Sequence, residues 1–258
     1  VGIAEEHAMA LASGIAKNDG KPFYGVYSSF LQRTYDQLSQ DVCINKSPVT
    51  IAVFAASVYG MSDVTHLGIY DIPMISNIPE LVYLAPVTKE EYLAMLDWSL
   101  EQKEHPVAIR VPASLVSDGK PFTKDLSKLN KYEMTQKGSQ VAVIALGSFY
   151  GLGVEAAKLI EEKTGVKATV INPYYITGID KEMLESLKAD HKTIITLEDG
   201  VLEGGFGEKI ARFYGDSDVK TLCFGLEKKF YDRYDPAEVL KENHLTPEQI
   251  AEDVIKTL

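Results

Sequence analysis

The chain contains two successive series of apolar, strand-like runs that alternate with segments of helical periodicity. The first series covers residues 5–111 and the second covers residues 141–255, with a polar stretch from Pro112 to about Asn130 between them. Strands that alternate with helices are typical of parallel sheets covered by helices. The pattern therefore predicts an α/β fold with two domains, each a mostly parallel sheet flanked by helices.

The domain boundaries follow from the same pattern. We place the first domain at residues 1–116, a linker and the first edge of the next domain at residues 117–135, and the second domain at residues 136–258. A chain of 258 residues is long enough for two cores. Because the sequence begins at Val1, inside an apolar helical pattern, we expect that the N-terminal part of the first domain is missing. A second helix is predicted from Leu31 to Val42.

Charge and cysteine content exclude several classes of partner. The net charge is -11 and the acidic residues are spread along the chain, so the surface would repel a nucleic acid. The longest apolar run, residues 49–61, is too short to span a bilayer, and no membrane partner is expected. Cys43 and Cys223 are far apart in apolar surroundings. Two buried free thiols suit a reducing cytosol, so a cytoplasmic protein is predicted.

Most general catalytic motifs are absent from the sequence. There is no P-loop, no GxSxG, no HExxH and no Cys/His spacing suited to zinc, so no metal ligand is assigned. His191 and His244 are interpreted as surface residues. Glu5 and Phe30 each have an ordinary structural explanation: a helix dipole favours a carboxylate in its first turn, and a phenylalanine favours a core. The loop from Ser57 to Ile72, rich in Gly, Ser, Asp and His, has a composition typical of functional loops.

Six short segments, in this order, carry a family resemblance. They are GIAEEHA at residues 2–8, YSSFLQRTYDQ at 27–37, THLG at 65–68, AIRVP at 108–112, VINP at 170–173 and EDGVLEGGFG at 198–207. Together they resemble the pyrimidine-binding and C-terminal domains of transketolase-type thiamine diphosphate enzymes, and within that family the 1-deoxy-D-xylulose-5-phosphate synthases most of all. The resemblance covers nearly the whole chain and both predicted domains.

The resemblance implies a set of cofactor-binding residues. Glu5 matches the catalytic glutamate that bonds the N1′ atom of the cofactor's aminopyrimidine ring and shares a proton with it. Phe30 matches the aromatic residue that stacks on that ring. Tyr27 and Arg33 match polar residues that line the cofactor side of the same pocket, and Tyr27 also reaches the substrate side.

Further residues are implied on the substrate side. His66 matches a catalytic histidine that contacts the substrate's oxygens and exchanges a proton with them. Arg110 matches an arginine that binds a substrate phosphate. The synthases have an aspartate before the histidine that falls here on Ser62, and Asp63, displaced by one residue, is assigned to the substrate instead. A second phosphate-binding arginine of the synthases is replaced by Ala55, which puts the identity of the substrate in doubt.

The implied cofactors are thiamine diphosphate and Mg²⁺. In the family, Mg²⁺ and the diphosphate are bound by a separate domain marked by Gly-Asp-Gly, which this sequence lacks. The chain is therefore expected to hold the pyrimidine half of the active site and to be inactive without a diphosphate-binding domain or subunit. A symmetric homodimer is also expected.

Three functions remain open on the sequence. The first is a transferase of two-carbon units, ketol or acyl-derived, that acts on sugar phosphates or 2-oxo acids. The second is a transketolase-like enzyme, or a split-transketolase subunit, with other sugar substrates. The third is a non-catalytic assembly module or the β subunit of a 2-oxoacid dehydrogenase.

Overall fold

The N-terminal domain is built on a four-stranded sheet in which every neighbouring pair of strands is parallel, in the order β1-β2-β4-β3. The computed structural model describes residues 1–112 and 119–258. Ile51, Ala52 and Val53 of β2 are all buried, as expected for a strand with neighbours and helices on every side. The strands of this sheet are β1 (Phe23–Tyr27), β2 (Thr50–Ala56), β3 (Val82–Leu84) and β4 (Val107–Pro112).

The C-terminal domain has a five-stranded sheet in the order β5-β7-β6-β8-β9. All its pairs are parallel except the edge pair β5 and β7, which is antiparallel. The two sheets confirm the predicted fold class of two mostly parallel α/β domains. The strands of this second sheet are β5 (Glu133–Gln136), β6 (Gln140–Ala145), β7 (Thr169–Asn172), β8 (His191–Val201) and β9 (Lys220–Leu226).

Four of the α-helices in the described residues begin at a residue whose side chain caps the first turn. Thr88 accepts a hydrogen bond from the Glu91 N–H, Asp180 caps α6, and Asp235 and Thr246 cap the two C-terminal helices. None of the helices in residues 1–112 and 119–258 has the length and apolar content to cross a membrane. The α-helices are α1 (Glu5–Lys17), α2 (Tyr35–Gln37), α3 (Asp71–Ile75), α4 (Lys89–Glu101), α5 (Tyr150–Thr164), α6 (Lys181–Leu187), α7 (Phe206–Tyr214), α8 (Pro236–Glu242) and α9 (Pro247–Ile255).

Several local predictions need correction. The helix predicted from Leu31 to Val42 is a longer composite of a 3-10 helix at Ser28–Thr34, the short α2 and a π-helix at Leu38–Cys43. His191 is not a surface residue: it is buried, with Nε2 2.8 Å from the Thr169 hydroxyl. Cys43 is buried as predicted, whereas Cys223 is only half-buried. Residues 113–118 of the predicted linker region lie outside the described residues.

The two domains meet at a junction that includes backbone hydrogen bonds. The Ala85 N–H donates to the Tyr174 carbonyl and the Ile176 N–H donates to the Tyr83 carbonyl, both at 2.7 Å. At a second point the Val201 N–H donates to the Ile69 carbonyl at 3.0 Å. We call this contact region the domain junction. It attaches the loop that follows β2 directly to the C-terminal domain.

Candidate functional site

A cavity of about 290 Å³ opens at the carboxyl ends of β1 and β2, beside the start of α1. The carboxyl ends of parallel strands are the usual place for ligands in such sheets. Here the first turn of α1 brings Glu5 to the cavity, and the turn after β1 brings Tyr27 and Phe30. We call this space the pyrimidine cavity. It is lined by Val1, Gly2, Glu5, Ala8, Tyr24, Gly25, Val26, Tyr27, Phe30 and Phe54.

Glu5 is the carboxyl group of the pyrimidine cavity, and its side chain is only 13% exposed. Its Oε2 atom lies 3.1 Å from Nη1 of Arg33. The two atoms attract each other as an ion pair, yet among the described residues Oε2 accepts no hydrogen bond of good geometry. A buried carboxylate oxygen without such a partner is costly to a folded protein. Its accepting capacity is therefore available to a ligand in the cavity.

Arg33 spans the two glutamates at the start of α1. Besides approaching Glu5, its Nη2 atom lies 3.2 Å from Oε1 of Glu6, and the arginine side chain is 40% exposed. Arg33 is thus at the rim of the pyrimidine cavity, on the side of α1. It can orient the Glu5 carboxyl group without enclosing it.

Phe30 connects the cavity to the loop that follows β2. Its ring is stacked near Tyr27, with centroids 6.2 Å apart and planes at 23°, and meets the His66 ring edge-on at 5.1 Å. Such offset and edge-on contacts favour fixed ring planes. The structure therefore brings Glu5, Tyr27, Phe30, Arg33 and His66 together, although the sequence separates Glu5 from His66 by two strands.

His66 is held by the residues just before it. Its Nδ1 atom lies 2.7 Å from the Thr65 hydroxyl oxygen and 3.4 Å from Oδ1 of Asp63. The Asp63 carboxylate also accepts hydrogen bonds from the Thr65 hydroxyl and backbone N–H, and these bonds, with the one from His66, lower the pKa of Asp63. Asp63 thus serves to fix the turn and the orientation of the imidazole ring.

The loop carrying Asp63 and His66 begins in strained backbone. Ala55 and Ser57 have positive φ angles of 52° and 81°, which non-glycine residues adopt rarely. The Ser57 N–H donates to the Gly68 carbonyl at 2.7 Å, closing the loop. A Cβ atom on Gly68 would lie 1.9 Å from the Ala55 carbonyl oxygen, so only glycine fits there. Strain of this kind accumulates at functional sites.

Arg110, which the resemblance assigns to a substrate phosphate, lies buried at the domain junction. It is 3% exposed, and its guanidinium group donates to Asp71, to Asp199 and to the Gly68 carbonyl. Burial alone would lower the pKa of Arg110, but the charges of Asp199 and Asp71 outweigh it and raise the pKa. Both carboxylate partners are themselves buried. The binding of a phosphate by Arg110 stays a prediction.

Two cavity residues were missed by the sequence reasoning. Tyr24 and Phe54 both line the pyrimidine cavity, one from β1 and the other from β2. Burial and then the negative charge of Glu5 raise the pKa of Tyr24 to about 12, so its hydroxyl stays protonated beside the carboxylate. The position of Phe54 near the carboxyl end of β2 was an available signal, whereas Tyr24 lies near the amino end of β1 and had none of this kind.

The cavity fits the aminopyrimidine ring that the resemblance implies. It offers a carboxylate oxygen without a hydrogen-bond partner and an aromatic ring, in a small and mostly apolar space. The side-chain hydroxyls of Ser28 and Ser29 are also buried without a partner among the described residues. Across residues 1–112 and 119–258, no group of three or more His, Cys, Asp or Glu side chains could hold a metal ion.

Comparison with known families identifies both domains. Residues 1–118 match the transketolase pyrimidine-binding domain, and residues 130–250 match the transketolase C-terminal domain. The curated relatives include 1-deoxy-D-xylulose-5-phosphate synthases of Clostridium perfringens, 38% identical over the whole chain, and of a Synechococcus species, 35% identical over 98% of it. The chain spans 42% and 40% of the length of these two relatives.

Solved structures show the same fold. One, described as a split-gene transketolase in an inactive beta4 tetramer, matches 99% of this chain and 82% of its own chain with a TM-score of 0.87 and 24% identity. A transketolase from Pichia stipitis in complex with sedoheptulose 7-phosphate matches 99% of this chain and 37% of its own with a TM-score of 0.79 and 19% identity. The two matched domains and the relatives along the full chain show that this protein belongs to the transketolase-type thiamine diphosphate enzyme family.

Proposed function

We propose that this chain supplies the pyrimidine half of the active site of a thiamine diphosphate-dependent transferase of two-carbon units. The observation that carries the proposal is the buried Glu5 Oε2 atom, which lacks a good hydrogen-bond partner in a cavity that Phe30 also lines. A stable protein seldom keeps such a group without a use for it. The family relationship supports the same role for the same residue.

Each cavity residue has a distinct task in this proposal. Thiamine diphosphate, when bound, supplies a carbanion on its thiazolium ring. Glu5 would hold and exchange a proton at its Oε2 atom with the pyrimidine ring of the bound cofactor. Phe30 fixes the plane of that ring, while Tyr27 and Arg33 orient the carboxyl group and border the cofactor.

His66 and Asp63 form the substrate side of the proposed site. His66 Nδ1 is engaged by Thr65 and Asp63, which leaves its Nε2 atom to act on a substrate oxygen as acid or base. The substrate is a sugar phosphate or a 2-oxo acid. Because Arg110 is committed to the domain junction and Ala55 has no charge, a phosphate would have to be bound by other groups. The proposal therefore includes the acceptor substrates of both the synthases and the transketolases.

Exposed apolar side chains beside the cavity favour a partner. Ile3, Phe23, Tyr27 and Phe54 are at least one-third exposed, and a cluster of this kind marks an interaction surface. We propose that a diphosphate-binding domain or subunit covers it and contributes the Mg²⁺ site. A homodimer of the complete assembly and a cytoplasmic location remain predictions.

A Glu5→Gln variant tests the proposal in the assembly with a diphosphate-binding half. Glutamine can still hydrogen-bond the ring but cannot exchange its proton, so kcat for ketol transfer should fall by about a hundredfold or more. Binding of thiamine diphosphate with Mg²⁺, followed by calorimetry, should change far less. The matched control is Glu6→Gln, which removes the neighbouring exposed carboxylate and should change kcat by less than about threefold. Equal turnover in the Glu5 variant and the wild type would refute the proposal.

A second candidate is a split-transketolase subunit that cannot turn over alone or serves only in assembly. The similarity in length and fold to the split-gene transketolase described as an inactive beta4 tetramer favours it. The test is the melting temperature of the isolated chain with and without thiamine diphosphate and Mg²⁺. A ligand at a hundred times its Kd stabilises a protein by about 2.7 kcal/mol. A clear rise in Tm supports a cavity that binds by itself, whereas an unchanged Tm supports the subunit that needs its partner.

A further inference from the structure

A second cavity, of about 350 Å³, lies on the C-terminal domain between the start of α6 and one face of α7. It is separate from the pyrimidine cavity and shares no residue with it. Among the described residues that line it there is no Asp or Glu. The lining residues are Gly178, Ile179, Lys181, Lys209, Arg212 and Phe213.

Three cations face this cavity in a protein whose net charge is -11. Within the described ranges 1–112 and 119–258, Lys181, Lys209 and Arg212 form no ion pair with a carboxylate. By contrast, many other lysines of the chain do pair, for example Lys131 with Glu182 and Lys188 with Glu185. Three cations that form no ion pair within the described residues line one concave space, which creates a positive potential there.

The acidic residues beside these cations in sequence are bound elsewhere. The Asp180 carboxylate accepts from the Tyr132 and Met183 N–H groups, at 3.1 and 3.2 Å. Glu182 pairs with Lys131 at 2.6 Å, and Glu208 accepts from the Gly204 N–H at 2.8 Å. None of the three neutralises the cavity at close range, so an incoming anion would meet uncompensated positive charge.

Lys209 is the most constrained of the three cations. It is partly buried, and its Nζ atom donates to the Ile176 carbonyl at 2.8 Å, which leaves further N–H groups for the cavity. Burial lowers the pKa of Lys209 to about 8, an effect that Glu198 partly opposes. The Glu198 oxygens themselves accept from the Phe206 and Gly207 N–H groups. A partly buried ammonium group without a counter-charge is stabilised when an anion binds.

The rest of the cavity surface is apolar. Ile179 and the ring of Phe213 form it, and Lys188 Nζ lies 4.9 Å from the centroid of the same ring. An aromatic surface next to a cationic cluster can hold a planar group beside an anionic one. A ligand that is anionic at one end and flat and apolar at the other matches both parts.

We propose that this cavity binds a small phosphate ester that carries a planar ring, such as a nucleoside monophosphate. Lys181, Lys209 and Arg212 contact the phosphate, and the planar ring lies against Phe213. The cavity size suits a ligand of this class. The site is independent of the proposed transferase chemistry, because none of its residues lines the pyrimidine cavity.

The experiment titrates the purified chain with adenosine monophosphate and measures binding by calorimetry. Lys181→Gln and Arg212→Gln each remove one charge from an exposed position and should weaken binding about tenfold or more. Phe213→Leu should weaken binding of adenosine monophosphate while leaving that of inorganic phosphate unchanged. The matched control is Lys158→Gln, an exposed lysine on α5, which should bind like the wild type.

Three outcomes would overturn the proposal. One is no measurable heat with adenosine monophosphate up to about 10 mM, a concentration at which even a weak millimolar site would fill. Another is binding that Lys181→Gln and Arg212→Gln leave unchanged. The third comes from sedimentation. It is dimerisation of the wild type that Arg212→Gln abolishes and that adenosine monophosphate does not change. That result would show that a second copy covers the cavity.

Discussion

Two groups of charged side chains in this protein are arranged in opposite ways. At the domain junction, Arg110 lies between Asp71 and Asp199, and every one of these charged groups is buried and hydrogen-bonded. In the pyrimidine cavity, Glu5 is also largely buried, but Oε2 has only an imperfectly oriented neighbour in Arg33. Both groups consist of an arginine and carboxylates. They differ in whether the fold completes their hydrogen bonds.

That difference distinguishes a structural role from a ligand-binding one. The hydroxyls of Tyr83 and Ser148 add further donors to Asp71 and Asp199 at the junction, so the network closes on itself. A closed network stabilises one arrangement of the two domains and leaves little for a substrate. An open carboxylate in a cavity is unfavourable until a ligand donates to it. The contrast supports the proposed catalytic role of Glu5 and favours a structural role for Arg110.

The largest expected effect is the loss of Arg110. Arg110→Met leaves two buried carboxylates without a counter-charge, which should lower the free energy of unfolding by about 3–5 kcal/mol. Arg33→Met removes an arginine that is 40% exposed to solvent and should cost less, about 1 kcal/mol. Urea denaturation of both variants measures the contrast. Similar losses of stability in the two variants would show that the buried charges at the domain junction stabilise the fold no more than the pair of Arg33 and Glu5 does.

A second effect, smaller for each pH unit, is expected from the pH dependence of Glu198, which is also buried beside the junction. Burial raises the pKa of Glu198 from its ordinary 4.5 to about 8, outweighing the hydrogen bonds from the Phe206 and Gly207 N–H groups. The folded state therefore binds an extra proton between about pH 4.5 and 8. Since the unfolded state has already lost that proton, the free energy of unfolding falls as pH rises through this window.

Glu198→Gln should remove that contribution. The slope of stability against pH should become shallower than in the wild type by up to about 1.4 kcal/mol per pH unit within the window. Denaturation at several pH values between 5 and 8, of both proteins in the same buffers, measures the difference. Identical slopes would mean that the two N–H donors hold Glu198 ionised in the folded state, so that it belongs with the closed network.

The sequence alone predicted the features of the fold that depend on neighbouring residues, and the site residues that belong to continuous family motifs. It predicted two successive α/β domains with mostly parallel sheets, because apolar runs and helical periodicity are local features of the chain. It also selected Glu5, Tyr27 and Phe30, which line the pyrimidine cavity, since the family motifs keep their order along the chain. Exact burial and hydrogen bonding of those residues did not follow from the motifs.

The sequence failed where partners come from distant segments. Arg110 is 39 residues from Asp71 and 89 residues from Asp199, so no local pattern predicts its burial between them. The buried ring of His191, on β8, contacts Thr169 on β7, which lies on the other side of β6, and this contact is made only on folding. The 3-10 and π geometry of residues 28–43 likewise depends on packing against the cavity and α1, which helical periodicity does not encode.

The smallest expected effect is the change in stability caused by replacing Glu5. It tests most directly whether Glu5 differs from the carboxylates at the domain junction. Because Oε2 has no good hydrogen-bond partner in the described structure, Glu5→Gln in the isolated chain should change the free energy of unfolding by less than about 1 kcal/mol, with either sign. Equilibrium denaturation at neutral pH, with Glu6→Gln as the matched control, measures it. A loss of stability as large as that of Arg110→Met would show that the fold depends on the Glu5 carboxylate as much as on the charges at the domain junction. Glu5 could then no longer be separated from the structural carboxylates Asp71 and Asp199.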